Sequence, residues 1–214
     1  GVVDLKKVLS NVKTRGIVGE IQLGAILAQI LSPEQYDENV AVKGGSERVE
    51  FAVKFPGEGD RPVYLPIDSK FPADAYTRLL DAYDTGDRQL IKAATDGLRN
   101  AVLKAAKDIR TKYISPPYTT EFAIMFLPFE GLYAEVLRLG LVDTLQRDYR
   151  INIAGPTTMA AMLNSFQMGF RSLALQKQSG EVWDTLAKVR TEFDKFGDVL
   201  VKTQTKMEQA QKDL

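Results

Sequence analysis

Two residue types are missing from this 214-residue chain, and their absence narrows the chemistry available to it. There is no cysteine, which excludes disulfides, thiol catalysis and thiolate metal sites. There is no histidine either, which excludes Ser-His-Asp triads, histidine general bases and the usual zinc sites. The groups that remain available for catalysis or metal binding are carboxylates, lysine, arginine, tyrosine and hydroxyl groups. Because carboxylate oxygens prefer hard cations, the natural metals are Mg²⁺ and Mn²⁺.

The chain also lacks long apolar runs and an excess of charge of either sign. No run approaches the length of a membrane span and no signal peptide is recognisable, which predicts a cytoplasmic protein. Since the chain begins with Gly rather than Met, a membrane anchor upstream of residue 1 is left open. The 28 acidic and 28 basic residues balance, so any binding of nucleic acid needs a local basic patch.

The spacing of apolar residues predicts helices that alternate with strands. The predicted helices cover residues 2–12, 13–31, 73–112 with a break near Thr85, about 131–149, 156 to about 178, and 181 to the end. The predicted strands cover residues 39–43, 49–55, 63–70, 121–128 and 151–155. The segment 13–31 is apolar on most sides and predicts a buried helix. This order predicts an α/β fold, with a mixed sheet flanked by helices.

The two strands on either side of the turn at 56–62 carry opposed carboxylates. If residue 55 pairs with residue 63, the antiparallel register places Glu50 opposite Asp68. Directly opposed like charges destabilise a strand pair, whereas a divalent cation between them makes the arrangement attractive. Lys70 lies one pleat further along the same face. A divalent metal site is therefore one interpretation of this hairpin.

The same hairpin also has an ordinary interpretation. Glu50 pairs with Lys70 or Lys54 as surface charges at a sheet edge, and spacing alone favours this pairing. A further carboxylate, Glu20, lies in the apolar segment 13–31 with glycines around it, and glycines suit a face that another group approaches closely. Glu20 has two interpretations: a third acid of the metal site, or a buried carboxylate in a salt bridge with Arg15 or Lys70.

Five stretches of the chain together resemble the RmuC family of bacterial DNA recombination proteins, in order over most of residues 10–190. They are "KTRGIVGEIQLGAIL", "RVEFAVKFPG", "LPIDSKFPADAY", "KYISPPYTTEFAIMFLPFEGLYAEV" and "IAGPTTMAAMLNSFQMGFRSLA". The resemblance implies a PD-(D/E)xK restriction-endonuclease-like core. That superfamily has an acid on its first helix, an acid at the start of its second strand, and an acid-x-Lys run on its third.

The superfamily pattern can be carried over position by position. Glu20 matches the acid of the helix, and Glu50 the acid of the second strand. Asp68 and Lys70 match the acid-x-Lys run. The dipeptide that is usually Pro-Asp is Val49-Glu50 here, and the longer arm of Glu shifts a bound metal.

The resemblance implies Mg²⁺-dependent (or Mn²⁺-dependent) hydrolysis of DNA phosphodiester bonds, with no small-molecule cofactor. In that mechanism Glu50 and Asp68 hold the metal, and Glu20 is an outer or alternative ligand. Lys70 orients the attacking water or stabilises the developing charge. The implied partner is DNA, and the residues implied for its contact are Lys13, Arg15, Lys104, Lys107, Arg110, Lys112 and, by base stacking, Tyr113. The ordinary interpretation of these cations is a solvated helix face.

Two other stretches are compatible with function but have simpler interpretations. Glu130 follows a central strand, where α/β proteins often place functional groups, but helix capping is the favoured interpretation. The run "GPTT" at 155–158 opens a helix whose free N–H groups suit a phosphate, although capping chemistry explains it equally well.

The C-terminal residues follow a heptad pattern, with apolar positions in 4-3 alternation from Val182 to Leu214. We therefore expect three parts: the end of a helical arm at 1–12, a nuclease-like core at 13–178, and a heptad helix at 179–214. Coiled-coil-like arms predict a homo-oligomer, while the alternative is a helix that packs back on its own core.

Three functions follow from these residues. The first is a Mg²⁺-dependent DNA nuclease that acts in recombination or limits rearrangement. The second is a DNA-binding scaffold that keeps the nuclease fold and assembles through coiled coils without efficient cutting. The third is an interaction protein whose acids form a structural salt-bridge network.

Overall fold

The computed structural model describes residues 12–57, 61–173 and 190–191, with the backbone alone for residues 12–16. The chain divides into two compact units, residues 1–165 and 166–214. In the second unit, residues 166–173 and 190–191 are helical. Residues 2–11 of the predicted helix at 2–12 lie outside the described residues, as does the heptad region from 182 onwards apart from residues 190–191. The expected boundary at 178 stays a prediction.

In its described part, the first unit contains five strands and six helices. The strands are β1 (Tyr36–Val40), β2 (Val49–Phe55), β3 (Val63–Ser69), β4 (Ala123–Phe126) and β5 (Ile151–Ala154). The helices are α1 (Val12–Ile30), α2 (Ala73–Thr85), α3 (Arg88–Tyr113), α4 (Glu130–Arg138), α5 (Val142–Tyr149) and α6 (156–165). No helix in the ranges given above is long and apolar enough to cross a membrane.

The strands form one mixed sheet in the order β1-β2-β3-β4-β5. β1, β2 and β3 pair antiparallel, and β3, β4 and β5 pair parallel. Phe55 pairs with Val63, as the turn between them predicts, so the hairpin register is confirmed. The mixed α/β fold predicted from the sequence is likewise confirmed.

The first strand lies three residues earlier than predicted. It was expected at 39–43 but covers Tyr36–Val40. Lys54 Nζ contacts Asp37 Oδ1 at 2.8 Å, and Tyr64 donates a hydrogen bond to Asp37 Oδ2 at 2.8 Å. These contacts hold Asp37 inside the ladder, and the chain turns away after Val40. Local β propensity predicted a strand around Val40 and Val42, but the contacts with neighbouring strands determine where β1 lies.

The predicted break in the long helical segment is confirmed at Gly86. This residue adopts a left-handed conformation with φ 70° and ends α2. Asp87 then caps α3, because its side chain accepts hydrogen bonds from the N–H groups of Gln89 at 2.8 Å and Leu90 at 3.4 Å. α3 therefore starts immediately after α2 and runs to Tyr113.

Each face of the sheet carries its own apolar core. On one face, α3 packs through Val102 and Ile109 into a cluster that includes Ala52 of β2. On the other face lies α1, whose glycines permit a close approach. A Cβ at Gly24 would lie 3.1 Å from the Phe51 ring.

The expectation that α1 is buried on most sides is wrong. Leu23 and Leu27 are fully buried, but Ile17 is 50% exposed and Ile21 is 66% exposed. One side of α1 contacts the sheet, and in the described part of the chain no further layer covers the opposite side. The apolar composition of a helix does not show whether one of its sides or both are covered by other elements.

Candidate acidic site at the ends of β2 and β3

Two carboxylates meet on neighbouring strands. Extending the register by one residue beyond the Phe51–Ile67 pair puts Glu50 opposite Asp68, as predicted, and the charge of Asp68 raises the pKa of Glu50. Glu50 is half-buried, and its Oε2 accepts a hydrogen bond from the Ser69 N–H at 2.9 Å. Asp68 is only 1% exposed. The hairpin therefore places two acids together, with one of them fully inside the protein.

Lys70 forms its ion pair with Asp68. Its Nζ lies 2.5 Å from Asp68 Oδ2, and the lysine side chain is 35% exposed. Apart from this ion pair, Oδ2 has no hydrogen-bond partner among the described residues. The expected pairing of Glu50 with Lys70 or Lys54 is wrong. Lys54 pairs with Asp37 instead.

Burial makes both acids weaker than usual. The pKa of Glu50 rises from 4.5 to about 7, mainly through desolvation and then through the negative charge of Asp68. The Ser69 N–H and Lys70 oppose this rise. Burial also raises the pKa of Asp68, although the Lys70 ammonium favours its ionised form. Strong desolvation together with specific charge partners is typical of functional sites.

The last turn of α3 completes the site from above the sheet. The Tyr113 hydroxyl faces the Asp68 carboxylate, and burial raises the pKa of Tyr113 to about 12. Lys112 is close enough to favour the ionised form of Asp68. The prediction that Tyr113 stacks on a base is wrong, because the residue is only 9% exposed and packs in the core.

The role of Tyr113 was missed although the sequence contained a signal for it. Tyr113 continues the buried series Val102, Ala106 and Ile109 at 4-3-4 spacing. A tyrosine at that position has its ring in the core, and its hydroxyl needs a polar partner. Asp68 is that partner.

Glu20 lies at the margin of the site. Its side chain is exposed, and its charge raises the pKa of Glu50 slightly. The backbone of α1 comes close because a Cβ at Gly19 would collide with Ser69 Oγ. The interpretation of Glu20 as a buried, salt-bridged acid is wrong, since it faces solvent.

The carboxylates do not form a complete three-acid cage. Within residues 12–57, 61–173 and 190–191, no group of three or more acidic side chains is placed to hold a metal ion. Glu50 and Asp68 alone have the oxygen chemistry for a hard cation. The buried Asp68 Oδ2 has no hydrogen-bond partner in this part of the chain but is ion-paired with Lys70 Nζ at 2.5 Å, so a metal ion there would have to displace that ammonium.

The predicted DNA-contacting cations are only partly gathered at this site. Lys104 and Lys107 are exposed along α3. Arg110 donates a hydrogen bond to the Asp148 carbonyl, and Lys112 lies beside Asp68. Lys13 and Arg15 are in the first turn of α1. Their roles in DNA contact stay predictions.

The start of α6 does not offer free N–H groups in the way predicted. The Thr157 N–H donates to Glu130 Oε1 at 2.7 Å. Glu130 Oε2 lies so close to Gly155 that a Cβ there would be 2.9 Å away. Glu130 therefore caps α6 and not its own helix α4, and its carboxylate fills the position that a phosphate would take.

Comparison with known proteins covers the whole chain. The family model described as "RmuC family" matches residues 1–214. A DNA recombination protein RmuC homolog from Xylella fastidiosa (strain Temecula1 / ATCC 700964) is 52% identical, over 100% of this chain and 48% of the relative. One from Chlamydia pneumoniae is 30% identical, over 93% of this chain and 48% of the relative. The chain thus spans about half the length of these curated relatives, and no solved structure matches it.

Proposed function

This chain belongs to the RmuC family, and from that premise we propose that its first unit is a Mg²⁺-dependent nuclease domain that hydrolyses DNA phosphodiester bonds in recombination. The observation that carries the proposal is the proximity of Glu50 to the buried Asp68, whose charge raises the pKa of Glu50, with Lys70 2.5 Å from Asp68. The names of the relatives support the link to DNA recombination. A PD-(D/E)xK core is part of the proposal.

Glu50 and Asp68 would hold Mg²⁺ or Mn²⁺, with Glu20 as an outer ligand. When bound, the metal supplies Lewis-acid polarisation of a phosphate oxygen and lowers the pKa of a coordinated water. The donor set supports this fit, because two carboxylates meet with one ammonium against them, and Asp68 Oδ2 has no hydrogen bond beyond its ion pair with Lys70. The exposed Glu20 sits close enough to Glu50 to interact with it electrostatically.

The chain's own groups have distinct tasks in this proposal. Tyr113, whose hydroxyl faces Asp68, orients that carboxylate. The Ser69 N–H fixes one oxygen of Glu50. Lys70 is part-exposed, so its ammonium can turn from Asp68 to a phosphate oxygen as negative charge develops there. The half-buried position limits the access of bulk water to these groups.

A second candidate is a DNA-binding scaffold that keeps the fold and cuts poorly or not at all. Three observations favour it. The ammonium of Lys70 lies against the Asp68 oxygen that a metal needs, and in the described residues the acids gather as a pair and not as three. Glu50 in place of the usual Asp also lengthens one ligand arm.

Cleavage by the purified chain on duplex, single-stranded and branched DNA tests the proposal. We expect cleavage with Mg²⁺, none with EDTA, and a loss of at least about a hundredfold for Asp68→Asn. The matched control is Asp37→Asn, which removes the other lysine-paired Asp of the same sheet. If wild type binds DNA without cutting it in Mg²⁺ or Mn²⁺, the scaffold is correct and the nuclease is excluded.

A further inference from the structure

Three exposed cations are anchored on backbone carbonyl oxygens and not on carboxylates. Lys43 Nζ donates to the Thr111 carbonyl, and Arg48 donates to the Asn39 carbonyl at 2.7 Å. Arg110 donates to the carbonyl of Asp148. A carbonyl fixes the position of a cation without cancelling its charge. In contrast, Lys54 and Arg138 are neutralised by acids at 2.8 and 2.6 Å.

The anchored cations lie beside the acidic site. The loop 41–48 joins β1 to β2, and its residues 43–48 are all exposed. Arg48 stands two residues before Glu50, and Lys43 ties the loop to the last turn of α3. That turn carries Arg110 and also Lys112, which acts electrostatically on Asp68. The loop also carries the exposed Glu47, and Asp148 lies near Arg110, but four cations against these two acids leave the loop and the helix end with a net positive charge next to the two carboxylates.

We propose that the loop 41–48 and the last turn of α3 bind the phosphodiester backbone of DNA, with Lys43 and Arg48 as phosphate contacts that sequence reasoning missed. This inference rests on the proposed function, since it assigns the path of the DNA at that site. An ammonium has three N–H donors and a guanidinium five, so each keeps donors for phosphate after its carbonyl contact. Because the carbonyls already hold these side chains, less conformational entropy is lost when DNA binds.

A simpler role for Lys43 is to cap the C-terminus of α3. Lys43→Gln separates the two roles, because Gln retains N–H donors for the Thr111 carbonyl but has no charge. Arg48→Gln likewise keeps a donor for the Asn39 carbonyl. The double variant thus removes two positive charges while leaving donors for both anchors.

DNA affinity should be measured in EDTA, where no cleavage interferes, on a short duplex between about 50 and 200 mM salt. The matched control is Arg88→Gln with Lys92→Gln. It removes the same two charges from exposed positions in the first turns of α3, about 30 Å from its last turn. Each lost phosphate contact reduces the slope of log affinity against log salt by about 0.9. We expect a reduction of about 1.8 for the loop variant and no change for the control.

The alternatives give different results. Unchanged slope and affinity for the loop variant overturn the proposed path, and an unchanged slope with a lowered melting temperature identifies a capping role only. Equal losses in both double variants point to general charge and also overturn it. A wild-type chain that binds DNA through this loop but never cuts it upholds the inference while the nuclease proposal fails. No DNA binding by wild type overturns both.

Discussion

At the scale of single residues, two triplets of the same composition show how burial changes the chemistry of an acid. The triplets are Asp37–Lys54–Tyr64 and Asp68–Lys70–Tyr113. The Lys54 hydrogen bond lowers the pKa of Asp37, which is partly exposed. Burial instead raises the pKa of Asp68, although a lysine and a tyrosine face it too. In the first triplet the acid is stabilised in its ionised form, which is typical of a structural ion pair. In the second, burial makes ionisation of the acid unfavourable, and for this reason the proposed site is placed there.

This contrast supplies a test of Lys70. In the nuclease, Lys70→Met should lower the cleavage rate by at least about a hundredfold with little change in DNA affinity, because the lost charge acts on the transition state. Lys54→Met is the control, since it removes the lysine of the other triplet and should leave the rate unchanged. Rates, affinities and unfolding are measured on the same preparations. Cleavage at the wild-type rate by Lys70→Met defeats its catalytic role.

Glu50 predicts an unusual dependence of stability on pH. Its pKa in the folded protein is about 7, above the ordinary 4.5, so the folded state holds this proton more tightly than the unfolded state. The stabilisation is complete below pH 4.5 and is lost as the pH rises through about 7. After allowance for partial exposure, the loss is on the order of 1–2 kcal/mol.

Urea unfolding without metal at several pH values measures this loss. Glu50→Gln keeps an oxygen for the Ser69 N–H but does not ionise, so its stability should vary less between pH 5 and 7. The raised pKa of Asp68 leaves part of the slope in place. Identical pH profiles for wild type and variant would contradict the shift.

At the scale of helices and strands, an element was predicted correctly where residues of the same segment determine it. It was predicted wrongly where contacts with other segments determine it. The hairpin was predicted with its register, because alternating apolar residues flank a Gly/Pro turn. The end of α2 was predicted because Gly86 supplies a left-handed residue. The position of β1 was wrong, since Asp37 is placed by Lys54 and Tyr64 from other strands. The exposure of Ile21 was also missed, because burial of a helix depends on how many layers surround it.

The cap on α6 gives a prediction for these elements. Glu130→Ala removes the acceptor of the Thr157 N–H and a negative charge at the helix start, which should cost about 1 kcal/mol of unfolding free energy. Glu34→Ala, another exposed glutamate, should change stability by less than about 0.5 kcal/mol. Chemical denaturation of the three proteins decides this. Equal stability of Glu130→Ala and wild type would show that the contact contributes nothing.

At the scale of the whole molecule, the site joins parts that are far apart in sequence. Glu20 belongs to α1 on one face of the sheet, and Tyr113 to α3 on the other, with Glu50 and Asp68 between them. Spacing within one segment identified the acids of the hairpin. It gave no information on which end of which helix meets them, because that depends on the packing of both layers. The homo-oligomer expected from the arms and the cytoplasmic location stay predictions.

Metal binding should increase the unfolding free energy of the whole fold. A ligand at about one hundred times its dissociation constant stabilises a fold by about 2.7 kcal/mol, which for a protein of this size raises the melting temperature by roughly 5–11 °C. We expect such a rise with Mg²⁺ or Mn²⁺ in wild type, and no rise in Asp68→Asn. Asp37→Asn should respond as wild type does. A rise of the same size in Asp68→Asn would place the metal elsewhere.

The order of the strands across the sheet has a consequence for synthesis on the ribosome. Each strand pairs with the one made just before it, from β1 to β5, so the sheet can grow in step with translation. The two opposed acids can meet once residue 69 has emerged. Tyr113 and the end of α3 follow more than forty residues later. Until α3 has been made, the two acids remain accessible to water. The free-energy cost of burying them therefore arises only at the late step in which α3 packs over them.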